Sequence, residues 1–125
     1  MTNLFMTIAG VNGFLVVAIG AFGAHVLKPI LTPESFATFQ TGVLYHMVHT
    51  LALLCLSVLI KKSKNMTVLN ASGWFFMFGI VLFSGSLYLL SLSGIKTLGA
   101  IAPIGGFSFL CGWACIVTFS IKAEI

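Results

Sequence analysis

The chain has 125 residues, of which 59% are apolar and 6% are charged, and its mean hydropathy is +1.15. A soluble domain carries roughly 25% charged residues, so the two acidic and six basic side chains of this sequence cannot cover a water-facing surface. The composition therefore excludes a soluble enzyme and a disordered chain. The six lysines are scattered between long apolar stretches, which excludes a nucleic-acid-binding module despite the net charge of +4.

The charged residues divide the chain into four uncharged stretches, each longer than the roughly 20 apolar residues that span a hydrocarbon core. We predict an all-α integral membrane protein with a single domain. Its four transmembrane helices form a bundle with sequential antiparallel connections, because the connecting segments are short. The predicted spans, numbered 1 to 4, are about 3–27, 35–60, 67–92 and 103–122.

Prolines and lysines set the ends of the first two spans. Span 1 ends before Pro29, because proline cannot continue a helix and disfavours helical geometry at the residue before it. Thr32 is a suitable N-cap for a short turn through Glu34 that precedes span 2. Three lysines, at positions 61, 62 and 64, end span 2 where their side chains reach lipid headgroups.

Span 3 ends in a turn at Ser93 and Gly94, and Pro103 leaves two alternative starts for span 4. The helix begins either at Pro103, as a first-turn residue, or near Leu98 with a kink at the proline. We favour the first start, since proline is well tolerated at the first helical position.

The lysines also predict the orientation of the bundle. With four spans, both termini and the loop between spans 2 and 3 share one side of the membrane, and four lysines lie on that side. The other side carries Lys28 and Lys96. Because lysine is in excess in short cytoplasmic loops, this distribution predicts that both termini are cytoplasmic.

Small residues mark the helix faces that we expect to pack against other helices. In lipid the hydrophobic effect does not sort helix faces, so close packing of small residues and interhelical hydrogen bonds must do so. At about 100° per residue, the small residues of spans 1 and 4 fall into strips along one side of each helix. The predicted packing glycines are Gly13, Gly20, Gly23, Gly105 and Gly112.

Span 2 carries a polar face that contains Tyr45, His46 and His49. Polar side chains that face lipid cost free energy, so this face is expected to point into the bundle or into a wet cavity. Spans 1 and 3 contribute polar residues on matching faces. The candidate polar cavity is lined by Asn12, Tyr45, His46, His49, Ser84 and Tyr88.

The sequence leaves three interpretations of His46 and His49. They are neutral packing residues hydrogen-bonded to spans 1 and 3, a proton-linked or polar-ligand site, or a metal or haem site. Tight metal sites need three or four ligands, and only this pair of histidines shares a predicted depth, so we expect no metal ion and no cofactor. Trp74 and Trp113 are interpreted as interface anchors or packing residues.

Four segments carry a family resemblance: 20–25 (GAFGAH), 41–49 (TGVLYHMVH), 83–88 (FSGSLY) and 103–106 (PIGG), the last followed by Gly112 and Trp113. Together they resemble the signatures of a small membrane protein family, a domain of unknown function that includes the bacterial YgdD and YwdK proteins and a mitochondrial relative in animals. The resemblance touches all four spans and implies a multi-pass protein of the bacterial inner membrane. It implies no catalytic residue, because the family has no established activity.

These observations favour a non-enzymatic structural or accessory helix bundle in the lipid bilayer. It would act through self-association as a homo-oligomer or within a larger membrane complex. We do not expect an enzyme, because Glu34 is the one carboxylate outside the C-terminal tail and acid–base catalysis by a carboxylate pair is therefore excluded. The alternative is a carrier or binding protein whose polar cavity takes a small or lipid-like ligand, and a redox subunit that holds a cofactor is a third hypothesis.

Overall fold

The computed structural model describes residues 4–64 and 66–122, and four helices in this part of the chain are long and apolar enough to cross a membrane. The same residues contain no strand. The predicted all-α fold with four transmembrane helices is therefore confirmed. The spans are Leu4–Leu27, Pro33–Lys62, Thr67–Ser93 and Lys96–Lys122.

The helix of span 2 begins earlier than predicted, and this changes the interpretation of Thr32. The helix starts at Pro33, and the Thr32 side-chain oxygen accepts a hydrogen bond from the Ser35 N–H at 3.1 Å. Thr32 therefore caps span 2 itself, and the separate turn expected through Glu34 is the first turn of that span. Pro33 fits there because the first N–H groups of a helix have no acceptor within it.

Span 4 begins with a 3-10 turn, Lys96–Ala100, which leads into the α-helix Ala102–Lys122. Pro103 lies in the first turn of this α-helix, as the favoured start predicts, but the helical span as a whole begins earlier than predicted, at Lys96. Span 3 is ended by Gly94, which has a φ of 73° and donates its N–H to the Leu90 carbonyl. Glycine suits this position because a left-handed backbone is strained for residues with a Cβ atom.

Spans 1 and 3 each contain a π-helical turn. In span 1 it covers Gly23–Leu27, after the α-helix Leu4–Phe22. In span 3 it covers Ile80–Ser84 and joins the α-helices Thr67–Gly79 and Gly85–Ser93. A π turn holds an extra residue, so side chains beyond it point in directions that a regular period of 3.6 residues does not predict.

Several glycines lie directly against aromatic rings of neighbouring spans. At five glycines an added Cβ atom would lie within 3.0 Å of an aromatic ring from another span, closer than real side chains approach. These glycine–aromatic contacts are Gly23 with Phe39, Gly42 with Tyr88, Gly73 with Phe5, Gly79 with Phe109, and Gly112 with Phe76. They join span 1 to span 2, span 2 to span 3, and span 3 to spans 1 and 4, so every span takes part.

Gly105 brings two helix backbones into direct contact. An added Cβ atom at this position would lie within 3.0 Å of backbone atoms of Leu82 and Phe83, which belong to the π turn of span 3. A backbone cannot rotate aside as a side chain can. Any side chain at Gly105 would therefore push spans 3 and 4 apart.

Three of the five predicted packing glycines, Gly23, Gly105 and Gly112, lie at these close contacts. Gly13 and Gly20 lie at looser ones, because an added Cβ atom there would meet side chains of span 2 at 3.8 and 3.7 Å, an ordinary van der Waals distance. A strip of small residues locates a helix face. It does not reveal which position on that face receives a ring from another helix.

Large apolar side chains cover the outside of the bundle, including Phe14 at 76% exposure and Leu110 at 67%. The buried apolar core, to which Leu56, Leu69 and Phe119 belong, includes the end of the bundle near the lysine-rich loop. Lipid chains are as apolar as these side chains, so the outer surface is stable in a bilayer. Hydrophobicity alone therefore cannot determine which faces turn inward.

Replacing Gly105 with alanine is expected to lower the free energy of unfolding in detergent by about 1–3 kcal/mol, the usual cost of overpacking. Gly106→Ala is the matched control, because its Cβ atom would lie 3.8 Å from the Phe83 ring. Thermal unfolding of the two purified variants compares them directly. Equal melting temperatures for Gly105→Ala and Gly106→Ala would contradict the backbone contact.

Candidate functional site

His46, in the middle of span 2, connects three spans through its two ring nitrogens. Nε2 lies 2.9 Å from Asn12 Oδ1 on span 1, and Nδ1 lies 2.9 Å from the Tyr88 hydroxyl on span 3. The Asn12 amide nitrogen donates to the Ile8 carbonyl at 2.9 Å, so the Asn12 oxygen is free to accept. His46 therefore donates from Nε2, and in its neutral form it accepts the Tyr88 O–H at Nδ1.

His49 is held in the opposite tautomer. Its Nδ1 lies 2.7 Å from the Tyr45 carbonyl, and its Nε2 accepts the indole N–H of Trp113 on span 4 at 3.0 Å. A carbonyl can only accept and an indole N–H can only donate, so His49 carries its proton on Nδ1. The ring also stacks on Phe109, with centroids 3.6 Å apart and an angle of 9° between the planes.

Both buried histidines thus use both ring nitrogens, and each nitrogen has a defined role as donor or acceptor. A proton on Nε2 of His49 would break its hydrogen bond to Trp113, whereas a proton on Nδ1 of His46 requires the Tyr88 hydroxyl to turn from donor to acceptor. To ligate a metal ion, either ring must give up one of its present hydrogen bonds. The arrangement joins span 2 to spans 1, 3 and 4 with directed bonds. We call the side chains of Asn12, His46, His49, Tyr88 and Trp113 the histidine network.

Two interhelical serine hydrogen bonds lie at the glycine–aromatic contacts. Ser84 donates to the Gly42 carbonyl at 2.7 Å, and Ser72 donates to the Gly112 carbonyl at 2.9 Å. Each acceptor glycine also lies against a ring of the same neighbouring span. A glycine without a side chain lets the neighbouring helix approach until a serine hydroxyl reaches the backbone oxygen, which is otherwise covered within a helix.

The structure separates the six residues expected to line a polar cavity. Asn12, His46 and Tyr88 are hydrogen-bonded together, whereas Ser84 and His49 bond to other groups. Tyr45 is 41% exposed on the outside of the bundle, where its ring packs on Phe83, and only its backbone carbonyl joins the network. The expectation that the Tyr45 side chain faces inward is therefore corrected.

Two apolar grooves run along the bundle, and none of these six residues lines either of them. One, of about 200 Å³, lies between spans 1 and 2, and the other, of about 400 Å³, lies between spans 2 and 4. Among the residues that the structure describes, no buried side-chain nitrogen or oxygen lacks a hydrogen-bond partner. The polar groups of the interior are thus satisfied by one another, and the grooves offer apolar walls.

Sequence reasoning missed Trp113 as a member of the network and placed the partners of His49 on the wrong spans. Residues three apart on a helix differ in direction by about 60°, which is enough for His46 and His49 to face different neighbours. His25, the third histidine of the sequence, is exposed near the end of span 1. In residues 4–64 and 66–122 no three His, Cys, Asp or Glu side chains cluster around a common point.

Trp113→Phe should destabilise the bundle more than Trp74→Phe. The first change leaves the buried Nε2 of His49 without its donor, which costs about 1 kcal/mol in a membrane protein. Trp74 is a close control, because it is 44% exposed against 43% for Trp113 and contacts Phe5 and Phe78 through its ring. Thermal unfolding in detergent measures the difference, and a larger loss for Trp74→Phe would refute the role of the indole N–H.

Comparison with known proteins identifies relatives over nearly the whole chain. The UPF0382 inner membrane protein YgdD of Escherichia coli is 43% identical over 99% of this chain and 95% of its own length. The UPF0382 membrane protein YwdK of Bacillus subtilis is 41% identical over 96% of this chain and 98% of its own length. A membrane protein of Haemophilus influenzae is 38% identical over 99% of this chain and 98% of its own.

No solved structure shows a significant match to this chain. The family described as "Protein of unknown function (DUF423)" matches residues 19–106, which include parts of all four spans and both histidines of the network. The family resemblance seen in the sequence is therefore confirmed. The chain belongs to the DUF423 family and is a multi-pass membrane protein whose family has no assigned function.

Proposed function

We propose that this protein is a non-enzymatic helix bundle that acts through contacts of its outer faces, either with further copies of itself or within a larger membrane complex. The observation that carries the proposal is the closed hydrogen bonding of the histidine network. The nitrogens of His46 and His49, the groups of the interior best suited to proton transfer, are all engaged in its bonds.

The carboxylates support the same proposal. Glu34 is exposed in the first turn of span 2, far from both histidines along the helix. The other acidic residue, Glu124, lies outside the described residues. The alternative of a carrier with a polar cavity has less support, because the six candidate residues line neither groove.

The outer faces supply the surface through which such a bundle would act. Span 1 presents Phe14 and Val17, and span 4 presents Phe107 and Leu110, all of them highly exposed. Helices in lipid associate by close packing rather than by hydrophobicity, so these faces can meet either acyl chains or other helices. They are the positions at which a partner would be found.

Cross-linking from the outer faces tests the proposal. A photoreactive benzoylphenylalanine in place of Phe14 or Leu110 should cross-link to a second copy or to one partner protein in a fixed ratio. The same group in place of Leu53, which is fully buried, should react only within the chain. The proposal fails if the outer positions yield only lipid adducts and mild detergent releases a monomer.

We also propose that the protein lies in the bacterial inner membrane with both termini in the cytoplasm. The Escherichia coli relative is named an inner membrane protein. The lysine distribution supports the orientation, since Lys61, Lys62, Lys64 and Lys122 are at one end of the bundle, and the other end has only two lysines.

Cysteine labelling should distinguish the two ends of the bundle. In a variant without native cysteines, Lys64→Cys is expected to react with a membrane-impermeant maleimide only after the inner membrane is opened. Lys96→Cys should react in cells whose inner membrane is intact. The reverse pattern would place both termini outside the cytoplasm.

A further inference from the structure

The groove between spans 2 and 4 has apolar walls and the volume of a ligand site, and of the histidine network only Trp113 lines it. Span 2 contributes Ala52, Cys55 and Leu59, span 4 contributes Trp113 and Ile116, and the buried Phe76 of span 3 forms the floor. Its volume of about 400 Å³ falls in the range of pockets that hold small ligands, about 300–1,000 Å³. Because these walls are apolar, the occupant must be apolar along this length.

The length of the groove matches one leaflet of a bilayer. On span 2 it runs from Val48 to Leu59, which at about 1.5 Å per residue is about 16 Å. The hydrocarbon core is about 30 Å thick, so this distance is close to the depth of a single leaflet. Val48 lies at the middle of Pro33–Lys62, and Leu59 lies one turn from its end. The groove therefore extends from the bilayer centre towards one headgroup layer.

A lysine stands where the groove meets that headgroup layer. Lys62 is exposed and lies two turns beyond Cys55, within about 20° of it around the helix, so it continues the groove-lining stripe. Lys61 is also exposed but lies about 120° from Cys55. Glu34, the acidic residue among those described, is at the opposite end of span 2. This end of the groove therefore favours an anionic group.

We propose that the groove between spans 2 and 4 binds one acyl chain of an anionic phospholipid and that Lys62 holds its headgroup. The inference rests on the groove and its charged end and does not depend on the proposed function of the outer faces. A lysine close to an anionic lipid surface strengthens binding by about fivefold. The site should therefore select for headgroup charge rather than for the acyl chain alone.

Tryptophan fluorescence tests the proposal, because Trp113 lines the groove. The Trp74→Phe protein is placed in phosphatidylcholine vesicles with a minor fraction of lipid brominated in its acyl chains, either phosphatidylglycerol or phosphatidylcholine. Bromine quenches a nearby indole. The apparent affinity of the groove for brominated phosphatidylglycerol should be about fivefold higher than that for brominated phosphatidylcholine. Lys62→Gln should abolish this preference, and the control Lys61→Gln should retain it.

A second pair of variants tests the groove itself. Ala52→Phe fills it and should reduce quenching by both brominated lipids, whereas Ala18→Phe, at an exposed position of span 1 that lines neither groove, should not. Equal quenching by both headgroups in the Trp74→Phe protein, with or without Lys62→Gln, would overturn the proposal, because it indicates ordinary bilayer contact. The proposal would also be overturned if neither lipid quenched Trp113 and a bifunctional maleimide cross-linked Cys55 to Cys55 of another copy. That result would show that the groove is covered by a second copy of the chain.

Discussion

Lipid removes the driving force that assembles helices in water, because an apolar side chain is as stable against acyl chains as against another helix. What remains is close fit, and in this bundle the fit depends on glycines that lie against aromatic rings of neighbouring spans. The contacts of Gly42 and Gly112 add a serine hydrogen bond to the glycine carbonyl. The same absence of a side chain thus provides both the packing and the polar contact.

The histidine network depends on this close approach. Tyr88 lies against Gly42 and also donates to His46, and Phe109 lies against Gly79 and also stacks on His49. If span 3 or span 4 were held farther away, one nitrogen of His46 or of His49 would lose its partner in a medium where an unpaired polar group is costly. The glycine contacts and the network therefore stabilise each other, which explains why the most polar face of the sequence lies at the centre of the bundle.

The fold and part of the network could be predicted from the sequence, because charge spacing defines the spans and a polar face must avoid lipid. The partners of His46 follow from matching polar faces. The partner of His49 does not, since the direction of a side chain on another helix depends on rotations that the sequence pattern leaves undetermined. Gly79 was missed for the same reason: a glycine becomes a close contact only when a ring from another span reaches it.

A double-mutant cycle at Gly112 and Phe76 tests the central claim that glycine and ring fit each other. Gly112→Ala should destabilise the bundle in detergent because its Cβ atom would overlap the Phe76 ring. Phe76→Leu makes room, so the double variant should lose less stability than the sum of the two single changes, by about 1 kcal/mol. The control cycle with Phe119→Leu, a buried ring of span 4, should be additive. Additive losses at Gly112 and Phe76 would contradict the account.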